Sequence, residues 1–168
     1  MKTIKIKLKP TKAQAIELTR LSKEYIRCAN KLMRRAVQEE VFPKVTSKNI
    51  DGVLPASVKN ELIRYVKTKH KQFGRCVFTK PTASWNNQNF SIDKKHIAFP
   101  IIINGKSKKV PFKALIPDSL YEELTTLKLG SLRITKKGFH WIAQISVHTK
   151  PLKARGTEVL GVDLGILC

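Results

Sequence analysis

A single carboxylate in this chain stands where a carboxylate can do chemistry. Val159-Leu160-Gly161-Val162 is a short apolar run that reads as a buried strand, and Asp163 follows at its end with Leu164-Gly165 directly after. An acid delivered at a strand end can hold a divalent ion, and it can equally cap a turn. Hydrolysis of a phosphodiester by two metal ions needs several carboxylates around ions about 4 Å apart. Only Asp163 has such a setting, so catalysis by this sequence alone is not expected.

The cations offer the other chemistry. Lys and Arg number 33 against 12 acids, a net charge of +21 over 168 residues. An enzyme for a neutral metabolite needs no field of that sign. Polyanions do, and the phosphate backbone of a nucleic acid is the commonest of them. The plainer alternative is a basic, soluble surface. A membrane role is disfavoured, because no apolar run reaches the ~18 residues of a spanning helix. The basic start, Lys2-Thr3-Ile4-Lys5, also leads into no signal-peptide core. Cys28, Cys76 and Cys168 are far apart and outside any CxxC pattern, which argues against a disulfide framework or a cysteine zinc site and fits a reducing cytosol. His140 and His148 are the one loose histidine pair, and lie more naturally on one strand than around a metal.

The elements that must carry these residues follow from periodicity. Ile4, Ile6 and Leu8 alternate with Lys5, Lys7 and Lys9, a half-buried strand with lysines on its open face. Lysine also protects an edge strand from aggregation, which is a competing reason for those residues. Thr11 is a natural N-cap for a helix from Lys12 to about Glu40, whose apolar stripe is Leu18, Leu21, Tyr25, Cys28, Leu32 and Ala36. Arg20, Lys23, Arg27, Lys31 and Arg34 recur on the opposite face and read as a cationic stripe without interleaved acids. Such a face repels itself unless an anion lies against it. Residues 41–54 read as a loop, and a second helix runs from about Pro55 to Phe73 with Gly74 as its stop. Its core side is Val58, Leu62, Tyr65 and Val66, and Lys59, Arg64 and Lys67 make it basic.

Trp85-Asn86-Asn87-Gln88-Asn89-Phe90 then offers amides that can read base edges and an aromatic that can stack on a base. The same residues also suit an Asn-rich turn with Trp85 in the core. From residue 96 the chain reads as β: His96–Ile103, the Asn104-Gly105 hairpin signal, and a return through Phe112. A short helical turn falls near Tyr121–Leu124. Leu129–Thr135 and Phe139–His148 form another hairpin, in which Phe139, Trp141, Ala143, Ile145 and Val147 alternate with polar residues. A lone N-terminal strand cannot stand alone. It should pair with strands after residue 95, which makes the helical stretch an insertion into a small β-barrel.

That layout resembles the TnpB (OrfB) proteins of insertion sequences, RNA-guided DNA endonucleases related to the compact type V CRISPR effectors. The resemblance is carried by Ile4–Gln14 with its Pro10-Thr11 turn, by Arg27-Cys28-Ala29-Asn30 with Ala29 where an aromatic is usual, and by Leu54–Asn60. Ser84-Trp85-Asn86-Asn87-Gln88, Gly138-Phe139-His140-Trp141 and Gly161-Val162-Asp163-Leu164-Gly165-Ile166 complete the series in the family's order. The last matches the first RuvC motif.

The resemblance implies an α+β fold: a small wedge-type, OB-like β-barrel (residues 1–10 and 95–155) interrupted by a helical recognition insertion (11–94), then the first strand of an RNase H-like RuvC domain (156–168). It implies the N-terminal, nucleic-acid-gripping half of a nuclease, working in a prokaryotic cytoplasm beside the nucleoid. Its partners would be a guide RNA scaffold, double-stranded DNA and a C-terminal nuclease half. Ala56, Lys59, Asn60 and Asn87 fall where the family contacts the duplex motif beside the target, although Lys59 and Asn87 are not the usual residue types. Asp163 would bind Mg²⁺ only in a completed nuclease. In guided recognition the protein holds backbone and A-form shape while pairing reads sequence, which asks for many cations and few base-specific side chains. The full set expected to touch nucleic acid is Lys5, Lys7, Lys9, Arg20, Lys23, Arg27, Asn30, Lys31, Arg34, Ala56, Lys59, Asn60, Arg64, Lys67, Trp85, Asn86, Asn87 and Gln88.

Overall fold

A computed structural model describes residues 1–149. The alternation of residues 3–9 becomes strand β1 (Lys2–Leu8), whose Ile4, Ile6 and Leu8 are buried while Lys5 and Lys7 face out. Pro10 ends it, and Thr11 starts helix α1 (Lys12–Gln38) through a reciprocal cap. The Thr11 hydroxyl accepts from the Gln14 amide at 3.2 Å, and the Gln14 side chain accepts from the Thr11 amide at 3.0 Å. The apolar stripe of α1 is buried as its spacing requires. Helix α2 (Ala56–Phe73) starts behind Pro55 and stops at Gly74, whose φ of 66° is the left-handed conformation that glycine permits.

Short strands β2 (Thr82–Trp85) and β3 (Ser91–Ile92) follow, then the hairpin of β4 (His96–Ile103) and β5 (Lys106–Lys113) about Asn104-Gly105. Both of those turn residues have positive φ, as a type I′ turn demands. Helix α3 (Asp118–Thr126) leads to the hairpin β6 (Lys128–Lys137) and β7 (His140–His148). In β6 the register slips between Leu129 and Leu132. A Cβ at Gly130 would sit 3.2 Å from the backbone oxygen of Ser146, a tight approach that glycine relieves.

The architecture is α+β with two antiparallel sheets, β1-β7-β6-β2 and β3-β4-β5. β1 pairs along its whole length with β7, so the first and last described strands are neighbours and the helical stretch is inserted between them. The sheets touch at one corner, where Leu8 bridges Ala114, Lys9 N donates to Lys113 O at 2.7 Å and Leu115 N donates to Lys7 O at 3.0 Å. The expected closed barrel does not form among the described residues. Closure requires paired edges all the way round. β3 is only two residues long, and β2 and β3 lie at opposite ends of the strand order with no ladder between them. The parting is spanned by side chains and by α1 instead. Trp85 Nε1 on β2 donates to Pro100 O on β4 at 3.0 Å, while Arg20 and Gln14 of α1 donate to Ile102 O and Pro111 O of the β4–β5 hairpin. The core between the sheets is aromatic, with Trp85 4.5 Å from Phe99 and Phe99 stacked on Phe112 at 4.4 Å.

Candidate nucleic-acid interface

The predicted contact residues separate into three groups once folded. Those on α1 are mostly engaged with acids. Arg20 Nη2 lies 2.6 Å from Glu17, Arg27 Nη2 lies 2.8 Å from Glu24, and Lys31 Nζ lies 3.1 Å from Asp51. The stripe without interleaved acids is therefore corrected. Glu17 and Glu24 each stand three residues before their arginine and reach it along the helix surface. Asp51 arrives from the loop, a partner that no helical periodicity could disclose. Glu24 is the hub: it accepts from both Arg27 Nε and Nη2 and from the Val53 amide at 3.0 Å. The hydrogen bond from Arg27 holds its carboxyl below the usual glutamate range. Hydrogen bonding from Lys31 lowers Asp51 in the same way. Gly52 fits this cluster because a Cβ there would stand 2.4 Å from Cys28 Sγ. Lys23 and Arg34 remain exposed on α1 without an ion pair among the described residues.

A second group holds the fold. Trp85 is 0% exposed, so it is a core residue and offers no stacking surface for a base; its short strand is covered on both faces. Asn30 is also consumed. Its Nδ2 donates to Phe78 O at 2.9 Å while its Oδ1 accepts from Phe78 N at 2.8 Å, fastening the segment after α2 to α1. Lys59 is half-buried and donates to Ile50 O at 2.8 Å, and Asn86 caps its own turn by accepting from Gln88 N at 3.2 Å and from the Asn89 side chain. The exposed members nearby are Asn87 and Gln88 of that turn and Ala56, Asn60, Arg64 and Lys67 along α2, with Arg64 leaning on Glu61 at 3.2 Å.

The third group is on the open face of the four-stranded sheet. Lys5 is opposite Gln144, which is opposite Arg133, which is opposite Ser84; one row along, Lys7, Ile142, Thr135 and Thr82 line up. Lys137 and His140 close the β6–β7 hairpin, and Lys7 Nζ lies 3.5 Å from His140 Nε2. Lys9 continues the line past Leu8 and is exposed. The helices cover the β2 end of this face. Tyr25 OH and Ser84 Oγ share a hydrogen bond at 3.2 Å, and burial pushes the Tyr25 phenol up to about 12. Arg133 Cζ lies over the Tyr65 ring, 5.0 Å from its centre. Among the described residues no ion pair engages Lys5, Lys7, Lys9, Arg133, Lys136 or Lys137. Arg133, Lys137, His140 and Gln144 were not among the predicted contacts. The alternation of β6 and β7 carried the signal, since each is the outward residue of a strand whose inward residues are apolar.

His140 and His148 sit at the two ends of β7. Asp163, the one carboxylate expected to ligate Mg²⁺, lies outside the described residues, as does the strand that would present it. Among the described residues no helix is long and apolar enough to cross a membrane, and no group of three or more His, Cys, Asp or Glu is placed around a metal position. Compared with protein-family models and with curated proteins, the chain matches none.

Proposed function

We propose that this protein is a nucleic-acid-binding module that grips phosphate with the open face of its four-stranded sheet. The observation that carries this reading is the set of unpaired cations there, Lys5, Lys7, Arg133 and Lys137 on the strands and Lys9 just past β1, beside the side-chain amide of Gln144. An unpaired lysine has no ion pair to break before it meets a phosphate, and each contact releases condensed counterions. The finer reading follows the resemblance: residues 1–10 and 95–155 are the wedge part, OB-like in its use of a sheet face, and 11–94 are the recognition insertion of a TnpB-like, RNA-guided nuclease, except that β2 and β3 near its end join the two sheets. The β1–β7 pairing around that insertion supports it. Structured RNA is then the first ligand and duplex DNA the second, in a prokaryotic cytoplasm.

Filter binding of a structured RNA and a DNA duplex, from about 50 to 200 mM salt, tests the reading. Affinity should fall steeply with salt for both. A slope near zero rules the function out.

Catalysis completed in trans is the second reading, favoured by Gly161-Val162-Asp163-Leu164-Gly165 alone. Bound Mg²⁺ would supply charge stabilisation for phosphodiester cleavage, with Asp163 as one ligand and the others contributed by a partner region. Asp163→Ala should then leave RNA affinity unchanged and abolish any cleavage restored by a C-terminal nuclease half.

A further inference from the structure

The β6–β7 hairpin turns through Gly138-Phe139 alone, and Phe139 is 97% exposed at its tip. Alternation along β7 places Phe139 in register with Trp141 and the core, and the turn removes it. Gly138 takes φ 57° at the first central position and Phe139 has no positive φ, the pattern of a II′ turn, so the strand starts only at His140. Nothing in that turn asks for an aromatic; the second position ordinarily takes Asn, Asp or Ser. The phenyl ring stands on one of the stiffest loops a chain can form, at the end of a ladder that runs Lys137↔His140, Lys136↔Trp141 and Thr135↔Ile142. The two-residue turn therefore holds its backbone at the tip and presents the ring to solvent.

The surroundings decide what it meets. Lys136 reaches over the Trp141 ring at 5.8 Å, Lys137 flanks the turn, and Lys7 stands against His140 on the neighbouring strand. Among the described residues none of these lysines has an ion pair. The charges close to this ring along the hairpin and on β1 are all cationic, which suits a flat apolar group carrying anions beside it. A flat apolar group bordered by phosphates is a nucleobase, and base–aromatic stacking tolerates any base.

We infer that Phe139 is a stacking contact for an unpaired nucleotide, with Lys7, Lys136 and Lys137 holding the phosphates on either side. The inference rests on the proposed nucleic-acid function and adds to it a preference: strand ends, loops or bulges over continuous duplex, because a stacked base inside a helix exposes no face.

The test compares the full chain with Phe139→Ala and Phe139→Trp, titrated with a blunt RNA duplex, the same duplex carrying a single-stranded overhang, and a single strand. Phe139→Ala should weaken binding to the overhang and the single strand by about 10-fold and to the blunt duplex by less than about twofold, with unchanged melting temperature. In Phe139→Trp the new indole is the exposed one, since Trp85 and Trp141 are 0% and 4% exposed. Its emission should be quenched by the single strand and unaffected by blunt duplex. Equal losses on all three ligands, or none, overturn the inference while wild-type binding keeps the function standing. A wild-type chain that binds none of them removes the function itself. In a parallel titration with anionic-lipid vesicles, a Phe139→Ala defect confined to the vesicles assigns the tip to a membrane and overturns the inference as well.

Discussion

The exposed face of α1 and the open face of the four-stranded sheet are both built from regularly spaced cations, and they are electrostatically different objects. On α1, Arg20, Arg27 and Lys31 meet Glu17, Glu24 and Asp51 within 3.1 Å. On the sheet, Lys5, Lys7, Lys9 and Lys137 meet no acid among the described residues. Exposed ion pairs add little stability, about 0–1 kcal/mol. They do neutralise the charge a phosphate would seek, and they spend the guanidinium donors that would bind it. The helix face is therefore largely internal architecture: Arg20 and Arg27 also donate to the carbonyls of Ile102 and Asp51, tying the β4–β5 hairpin and the loop before α2 to the helix. The lesson is that regular spacing of cations does not say which of them are already paired.

The comparison predicts a graded set of outcomes. The largest concerns residues that look functional in sequence and are structural in the fold. Trp85→Ala should cost about 3–5 kcal/mol in denaturant unfolding, the loss typical of a buried aromatic, where a stacking role would leave stability intact. Asn30→Ala comes next. It leaves the Phe78 N–H and C=O without their side-chain partner and should cost about 1–3 kcal/mol, with RNA affinity at fixed fraction folded unchanged.

A smaller effect sharpens the helix side of the contrast. Glu17→Gln with Glu24→Gln frees Arg20 and Arg27, so the dependence of log K on log salt should steepen by about 1 if the acids are what silence that face. The smallest effect is in pH. Glu24 has a depressed carboxyl in the folded chain, so its contribution to stability is complete above the ordinary glutamate pKa and fades as pH falls through the lowered folded value. Melting temperatures of wild type and Glu24→Gln should therefore differ near neutrality and converge in acid.

Much of this fold was legible because its signals are local. The alternation of Ile4, Ile6 and Leu8 names a strand, Thr11 with Gln14 names a helix start, Asn104-Gly105 names a hairpin, and each is a matter of neighbouring residues. The pairing of β1 beyond residue 95 was legible for a different reason, since an isolated strand has unpaired backbone groups to satisfy. What periodicity could not show was long-range. Asp51 approaches Lys31 from a loop twenty residues on, and Asn30 spends its amide on Phe78. Two strand-level details also escaped. The shortness of β3 leaves two sheets touching at Leu8 and Ala114 where a closed barrel was expected, and a two-residue turn takes Phe139 out of an alternation that otherwise continues through Val147. The proposed interface was half visible: the lysines of β1 stood out, while Arg133, Lys137 and Gln144 joined them only when β6 and β7 were laid alongside.

The most direct test of the central claim is the salt dependence of RNA binding for two matched triple variants, one with Lys5, Lys7 and Lys137 changed to Gln and one with Arg20, Arg27 and Lys31 changed to Gln. The sheet variant should lose about 2 from the magnitude of the wild-type slope, and the helix variant well under about 1. Equal losses, or a larger loss from the helix variant, would contradict the assignment of the interface to the sheet.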